Sequence, residues 1–401
     1  MSLNDVVSAE RLHIGFFGMR NAGKSSLVNA VTGQQLAVVS DVKGTTTDPV
    51  KKAMELLPLG PVVIIDTPGL DDEGELGQLR VKKAKQELAH TDIAVLVVDG
   101  TQGLSAMDED LVKSFQERKI PYIIVHNKAD LISDRRELDK HSCYASSLTG
   151  EGIHELKETL GKFAEQKKNP KVLVSDLLEP GDLVVLVVPI DESAPKGRLI
   201  LPQQLTIRDI LDHNAIAVTC QDTEVTATLE KLAVKPKLVI TDSQAFERVS
   251  KDVPEDIPLT SFSILMARYK GDLKALTRGA AALSSLKDGD PVLISEGCTH
   301  HRQCMDIGTV KMPGWLENFS GAKPQFSFTS GGEFPEDLSQ YALVVHCGGC
   351  MLNEAEMKHR MEKAAAAGTP IVNYGIAIAH THGILKRSLQ PFPGFALTET
   401  E

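Results

Sequence analysis

The chain has 401 residues, with 43 basic against 54 acidic side chains and a net charge of −11. That length exceeds one ordinary domain, and 42% hydrophobic residues suffice for two or three packed cores, built from Val, Leu, Ile and Ala because aromatics are only 4%. The acidic balance argues against a general nucleic-acid binder, and no apolar run is long enough for a membrane-spanning helix. The opening MSLNDVVSAERLH has no signal-peptide pattern, so a cytoplasmic location is expected.

Residues 13–160 alternate Val/Ile-rich runs with helix-like stretches. HIGFFGM, PVVIIDT, DIAVLVVDG and YIIVHNK read as strands, with VKKAKQELAHT as one of the helices between them. That rhythm predicts a doubly wound, mostly parallel α/β sheet in a domain spanning 8–168. The first strand runs into Gly18-Met-Arg-Asn21-Ala22-Gly23-Lys24-Ser25, a G-x-x-x-x-G-K-S loop continued by Ser26. Glycines there let backbone N–H groups turn toward phosphates, Lys24 supplies a point charge, and Ser25 can ligate magnesium.

Asp66-Thr67-Pro68-Gly69 follows the next apolar run. Asp66 is expected to hold magnesium through water, and Gly69 to sense the outer phosphate. Asn127-Lys128-Ala129-Asp130 also follows a strand, and a fixed carboxylate at Asp130 accepts two hydrogen bonds from the edge of guanine that adenine cannot offer. Ser146-Ser147 sits where a backbone N–H would meet the guanine carbonyl. Four motifs in this order, each at a strand end, predict a GTP-binding domain that hydrolyses GTP to GDP and phosphate.

VVSDVKGTTTDPV is expected to be the first switch, with Thr45 or Thr46 closing over magnesium and the third phosphate. The stretch resembles the Gly-Thr-Thr-Arg-Asp loop of the translation-factor-related GTPases typified by the tRNA-modification GTPases. That resemblance favours Thr46 as the magnesium ligand, with Thr47 standing in place of the Arg. Leu70 occupies the position where Ras-like enzymes carry a water-positioning Gln, so hydrolysis should be slow or assisted. Asn21 matches the residue that helps hold potassium beside the phosphates in the potassium-activated members. The alternative for Asn21 is a side chain that tightens the loop.

A polar, Pro-containing linker near EQKKNPK precedes a second block over 172–260. LVVLVVP, RLILPQQ, NAIAVTC and KLVITDS read as buried strands, with RDILDH and TATLEKL as helical connectors. No chemical motif appears, so packing or association is the expected role. A third block spans 261–401. SILMARYKGDLKALTRGAAALSSL reads as a long amphipathic helix interrupted at Gly271, and PVLISEGC, YALVVHCGGC and TPIVNYG as strands of a buried parallel sheet.

Two of those strands end on cysteines. Ligands in open parallel sheets gather at the carboxyl ends of strands, so Cys298, Cys347 and Cys350 can meet at one rim. Cys298-Thr299-His300-His301 adds two imidazoles, and His346 precedes Cys347. A redox dithiol, a zinc site and an iron–sulfur cluster all fit these residue types. A ribosome-associated GTPase with structural zinc and a redox-switched GTPase are therefore alternatives at this point.

Cys298-Thr-His300, 45 residues, then His346-Cys347-Gly-Gly-Cys350, behind a GTPase domain, resembles the HydF family of FeFe-hydrogenase maturation GTPases over essentially the whole chain. The resemblance implies a scaffold and carrier. It would hold a 4Fe-4S cluster on Cys298, Cys347 and Cys350, accept a two-iron precursor made with the radical-SAM maturases HydE and HydG, and deliver it to apo-FeFe-hydrogenase. It implies that the middle block mediates dimerisation, as a homodimer or higher assembly, with no nucleic-acid or membrane partner. His346 and His300 are its candidates for a fourth ligand; the alternative is that both shape the pocket. Cys304, Cys143 and Cys220 lie outside the pattern, and His380 and His382 read as a core or solvated pair.

Overall fold

A computed structural model describes residues 10–34, 49–70, 74–167, 172–190, 199–297 and 306–395. The chain divides into two compact units, one up to Pro170 and one from Lys171. Among the described residues, no helix is long and apolar enough to cross a membrane.

The first unit is built on β1 (Leu12–Phe17), β2 (Val50–Leu56), β3 (Gly60–Asp66), β4 (Ile93–Asp99), β5 (Tyr122–Asn127) and β6 (Ser142–Tyr144). They form one sheet in the order β2-β3-β1-β4-β5-β6, parallel except for β2, which pairs antiparallel with β3. Helices α1 (Lys24–Thr32), α2 (Gly74–Leu88), α3 (Ala106–Glu117) and α4 (Ile153–Lys167) connect the strands. Two apolar clusters flank the sheet, one containing Ile14, Phe16, Val95 and Leu156, the other Phe17, Leu96, Leu111 and Phe115. Alternate residues of β1 therefore feed opposite faces, as a strand buried on both sides requires. α3 begins on a reciprocal cap in which the Ser105 hydroxyl and the Asp108 carboxylate bind each other's backbone N–H.

The second unit carries two four-stranded parallel sheets. The first contains β7 (Leu183–Val187), β8 (Ile216–Cys220), β9 (Leu238–Thr241) and β10 (Leu259–Ser261), in the order β10-β9-β7-β8. Its helices are α5 (Leu201–Asp212), α6 (Val225–Lys231) and α7 (Phe246–Asp252). RLILPQQ is not a strand: α5 starts at Leu201. Pro202 lies in its first turn, where a missing N–H costs nothing, and Gln203 Oε1 accepts the Ile200 N–H at 3.1 Å. The apolar run misled because a buried helix start and a buried strand share composition.

The predicted long helix is two helices, α8 (Phe262–Lys270) and α9 (Leu273–Ala280), followed by a 3₁₀ turn to Ser285. The break falls at Gly271, and Asp272 caps α9 through the Ala275 N–H. β11 (Pro291–Glu296), β12 (Gln325–Ser330), β13 (Leu343–His346) and β14 (Ile371–Asn373) form the last sheet in the order β12-β11-β13-β14. α10 (Met312–Ser320), α11 (Glu354–Ala367), α12 (Tyr374–Thr381) and α13 (Leu385–Leu389) complete the unit. One continuous apolar cluster joins residues of both sheets, from Val185 and Ile240 to Ile294 and Val345.

Candidate functional site

The four nucleotide motifs follow the carboxyl ends of β3, β1, β5 and β6, with β4 lying between β1 and β5 in the sheet. The loop after β1 has left-handed backbone at Gly23 (φ 85°) and at Asn21 (φ 64°), a conformation that asparagine tolerates better than most side chains. Gly18 is constrained by its neighbour, since a Cβ there would lie 2.2 Å from the Val97 carbonyl oxygen. Gly69 approaches the loop too: a Cβ on it would meet the Arg20 backbone at 3.0 Å. Two backbone bonds stitch the segments together, Arg20 N–H to the Leu70 carbonyl (3.0 Å) and Leu70 N–H to the Gly18 carbonyl (3.2 Å).

Lys24 is buried, with Nζ 3.7 Å from Asp66 Oδ1, and burial pulls its pKa down against the pull of Asp66. The Ser25 hydroxyl donates to Asp66 Oδ2 at 2.9 Å, while Asp66 Oδ1 is buried without a hydrogen-bond partner. An orphaned carboxylate oxygen beside a serine hydroxyl is the oxygen-donor set that a hard cation takes, so Ser25 and Asp66 fit magnesium. Thr45 and Thr46 lie outside the described residues. Leu70 is 1% exposed and packs with Phe17 and Leu96, so its side chain faces the core instead of the phosphates. Asn21 is exposed, Ala22 buried and Ser26 half-buried.

The base-binding half is fastened by Asn127, which is fully buried. Its Nδ2 donates to the Ala22 carbonyl at 3.0 Å and its Oδ1 accepts the Ser147 N–H at 3.1 Å. One amide thus joins the phosphate loop to the Ser146-Ser147 loop. Ser146 donates to Asp130 Oδ1 at 2.5 Å and accepts the Thr149 N–H. Asp130 is exposed at the mouth. Lys128 has left-handed backbone and its Nζ lies 2.6 Å from Asp99 Oδ2. Burial raises the Asp99 pKa, but hydrogen bonds from Lys128 and Thr101 outweigh it and hold the group below its usual value. Asp99 went unnoticed in the sequence; its place at the end of a strand was the available signal.

The cysteine rim repeats this geometry in the last sheet. β11 and β13 are parallel neighbours with Ser295 opposite His346, so the chain toward Cys298 and the chain into Cys347 leave the sheet side by side. Cys298, His300, His301 and Cys304 lie outside the described residues. Cys347 Sγ accepts the Gly297 N–H at 3.0 Å and the Gly349 N–H at 3.4 Å. Burial lifts this thiol to about 11, with Cys350 adding to the rise, so it carries its proton at neutral pH. Gly349 has φ 63°, and a Cβ on Gly348 would meet open space. Among the described residues, no group of three or more His, Cys, Asp or Glu side chains forms a metal site.

His346 and Cys347 project to opposite sides of the strand, as the period of two demands. His346 is fully buried. Its Nδ1 faces the Cys347 carbonyl at 2.7 Å and its Nε2 accepts from Arg360 Nη1 at 3.0 Å. Burial and then the Arg360 charge push its pKa down to about 3, so the ring is neutral. Arg360, 0% exposed, also binds Glu356 (2.7 Å), Ser295 (3.3 Å) and the Gly331 carbonyl (2.8 Å), and lies over the Phe334 ring. On the other side Tyr374 donates to Glu296 Oε1 at 3.4 Å, and its pKa is raised by burial first and by nearby Cys347 and Glu296. A Cβ on Gly308 would collide with both side chains of that pair. Sequence reading missed Arg360 because Glu356 and Arg360, four apart on a helix, look like a surface pair.

The remaining candidates are dispersed. Cys143 packs on the first core with its thiol lifted to about 11, and Cys220 ends β8 in the second. His380 faces Ser284 (3.2 Å) and the Phe319 ring, whereas His382 bonds the Ile378 carbonyl (2.8 Å) and lies near Trp315.

Comparison with known proteins divides the chain in the same order. Residues 13–128 match a family model described as a 50S ribosome-binding GTPase, 173–271 the hydrogen maturase F dimerization domain, and 274–391 the hydrogen maturase F tetramerization domain. The two maturase matches together span more than half of the chain. The chain belongs to the hydrogen maturase F family. Its amino-terminal unit is a GTPase domain, whose reaction is GTP hydrolysis, and its other matches are association domains of hydrogen maturase F. Curated relatives include the tRNA modification GTPase MnmE of Legionella pneumophila, 38% identical over 159 residues, and that of Xanthomonas oryzae pv. oryzae, 35% identical over 156. These cover 39% and 38% of this chain, which spans only about a third of each relative's length (35% and 34%). Among solved structures, the probable GTP-binding protein engB is 24% identical, covering 39% of this chain and 100% of that one with a TM-score of 0.32. The G domain of the T. maritima FeoB iron transporter is 27% identical, covering 38% and 99% with a TM-score of 0.30.

Proposed function

We propose that this member of the hydrogen maturase F family is a cytoplasmic GTP-gated scaffold that carries a 4Fe-4S cluster on Cys298, Cys347 and Cys350. Its cargo is the two-iron precursor made with HydE and HydG, and its acceptor is apo-FeFe-hydrogenase. The observation that supports this reading is the pair of parallel neighbours β11 and β13, which end two residues before Cys298 and just before Cys347, in a chain that also carries a GTPase domain and the maturase matches. Thiolates with free backbone N–H groups around them suit iron and sulfide. When bound, such a cluster supplies an iron position to which cargo can attach. The chain's own part is to present the sulfurs: Gly297 and Gly349 donate to Cys347, and the small residues at 348 and 349 leave room. His346, with both ring nitrogens engaged, serves as an anchor of the strand end, which leaves the fourth position to cargo or to His300.

In the nucleotide site Lys24, Ser25 and Asp66 hold phosphates and magnesium, Asn21 helps hold potassium, and buried Leu70 leaves the attacking water without a side-chain guide, so hydrolysis is slow and potassium-stimulated. The switch carrying Thr46 orders around the third phosphate and sets partner affinity.

The test is anaerobic reconstitution with iron and sulfide, followed by EPR of the reduced protein beside Cys298→Ser, Cys347→Ser and Cys350→Ser. A 4Fe-4S signal that each substitution weakens is expected. Zinc retained in its place, or no metal, sinks the scaffold reading and leaves the GTPase standing. The gating half fails if hydrogenase affinity is equal with GDP, with a non-hydrolysable GTP analogue and with no nucleotide.

A further inference from the structure

Arg135 lies in the loop that follows Asn127-Lys128-Ala129-Asp130, outside every motif read in the sequence. Its guanidinium closes a fork on Glu151, with Nη1 to Oε1 at 2.5 Å and Nη2 to Oε2 at 3.0 Å, and Nη2 also donates to the Ala129 carbonyl at 3.0 Å. The group lies over the ring of Tyr144, the last residue of β6, 5.5 Å from the ring centre. The Tyr144 hydroxyl holds the same loop, accepting the Arg136 N–H at 3.1 Å and donating to the Arg136 carbonyl at 3.2 Å. A lone surface ion pair contributes little. A two-pronged guanidinium pair that also stacks on a ring and takes a carbonyl is the geometry in which such a pair counts.

These partners belong to the two halves of the base clamp. Ala129 precedes Asp130, the expected acceptor for the guanine edge, and its N–H donates to the Ala145 carbonyl at 3.1 Å. The Glu151 carbonyl accepts the Ser146 N–H at 2.9 Å, and the Ser146 hydroxyl donates to Asp130. Arg135 thus closes a ring of contacts that runs from Ala129 through Asp130, Ser146 and Glu151 and back. Glu151 is also a second carboxylate near Asp130. The Arg135 hydrogen bond holds the Glu151 carboxyl below its usual value, against desolvation and the negative charge of Asp130. Removing the guanidinium leaves two like charges near one another.

Resting on the guanine reading of Asp130, we infer that Arg135 is a positioning residue for base recognition. It pins the Asp130 carboxylate against the Ser146-Ser147 loop and neutralises Glu151, so that the base meets a site already in shape. The role belongs to the GTPase unit alone and stands whether or not a cluster binds elsewhere in the chain.

The test is competition binding of GDP and inosine diphosphate, which lacks the 2-amino group, to the full chain and to Arg135→Ala, Arg135→Lys, Glu151→Gln and the Arg135→Ala/Glu151→Gln double variant. Asp130 takes two hydrogen bonds from guanine and one from hypoxanthine. Arg135→Ala should therefore weaken GDP about tenfold and inosine diphosphate about two- to threefold, so that the ratio of the two affinities shrinks. Arg135→Lys keeps the charge and loses the fork, and should fall between wild type and Arg135→Ala. The double variant should bind GDP better than Arg135→Ala, because the unpaired carboxylate is gone. In GTP hydrolysis the loss should appear in KM rather than in kcat, since Arg135 lies at the base and not at the phosphates. A ratio in Arg135→Ala equal to that of wild type would overturn the proposal, even if thermal stability fell. A wild-type ratio near one would overturn it together with the guanine reading of Asp130.

Discussion

The nucleotide cradle and the cysteine rim occupy the same place in their sheets, the carboxyl ends of parallel strands, but they are held by different means. The cradle is held chiefly by backbone, by glycines that permit close approach, and by one buried amide at Asn127. The rim is held by buried charges that arrive from helices, Arg360 from α11 and Lys270 from α8, whose Nζ donates to the Leu352 and Cys350 carbonyls. A site that must release a nucleotide is shaped by hydrogen bonds of modest net worth. A site fixed by buried cations is held more rigidly, because removing one takes a charged donor from several partners at once.

The largest expected effect is on the cradle's selectivity. Asp130→Asn exchanges an acceptor for a donor, so GTP affinity should fall about a thousandfold and the chain should turn to xanthosine triphosphate, whose 2-carbonyl accepts. Competition binding with both nucleotides checks this. On the rim, Arg360→Met removes the buried charged donor that Glu356, Ser295 and His346 share and should cost about 3–5 kcal/mol of stability, part of it recovered by adding Glu356→Leu. Denaturant unfolding of the single and double variants reads this directly; equal stability of the single variant and wild type would contradict a charge-held rim. A smaller loss, roughly ten- to a hundredfold in GDP affinity, is expected for Asn127→Ala, since it frees the Ala22 carbonyl and the Ser147 N–H together.

The smallest effect is a pH slope. His346 titrates at about 3 in the fold, below its unfolded value near 6.5. Between those values the unfolded chain binds a proton that the native ring refuses, so native stability should decline as pH falls through that window, by at most about 1.4 kcal/mol per pH unit. Above it His346 contributes no slope. The slope attributable to this ring should vanish in His346→Gln, measured by unfolding of metal-free protein across pH.

The nucleotide site was largely legible because each of its parts is local. Gly18 through Ser25, Asp66 through Gly69 and Asn127 through Asp130 announce themselves by spacing, and the strand rhythm places them on one edge. The strands β11, β13 and β14 were legible for the same reason. Arg360 and Lys270 were not, since nothing in a helix sequence says that a cation will be buried when its partner lies 14 or 80 positions away. RLILPQQ failed differently: its apolar run matched a strand, and only Pro202 in the first turn argued for a helix.

Consecutive residues His346 and Cys347 face opposite ways, and that has a consequence for how the rim tolerates change. An insertion of one residue within β13 would put the imidazole where the sulfur now lies, and a deletion would put Gly348 there, while composition and length stay almost untouched. Which side chain meets the Gly297 and Gly349 N–H groups is thus written in the parity of the four-residue strand that precedes it.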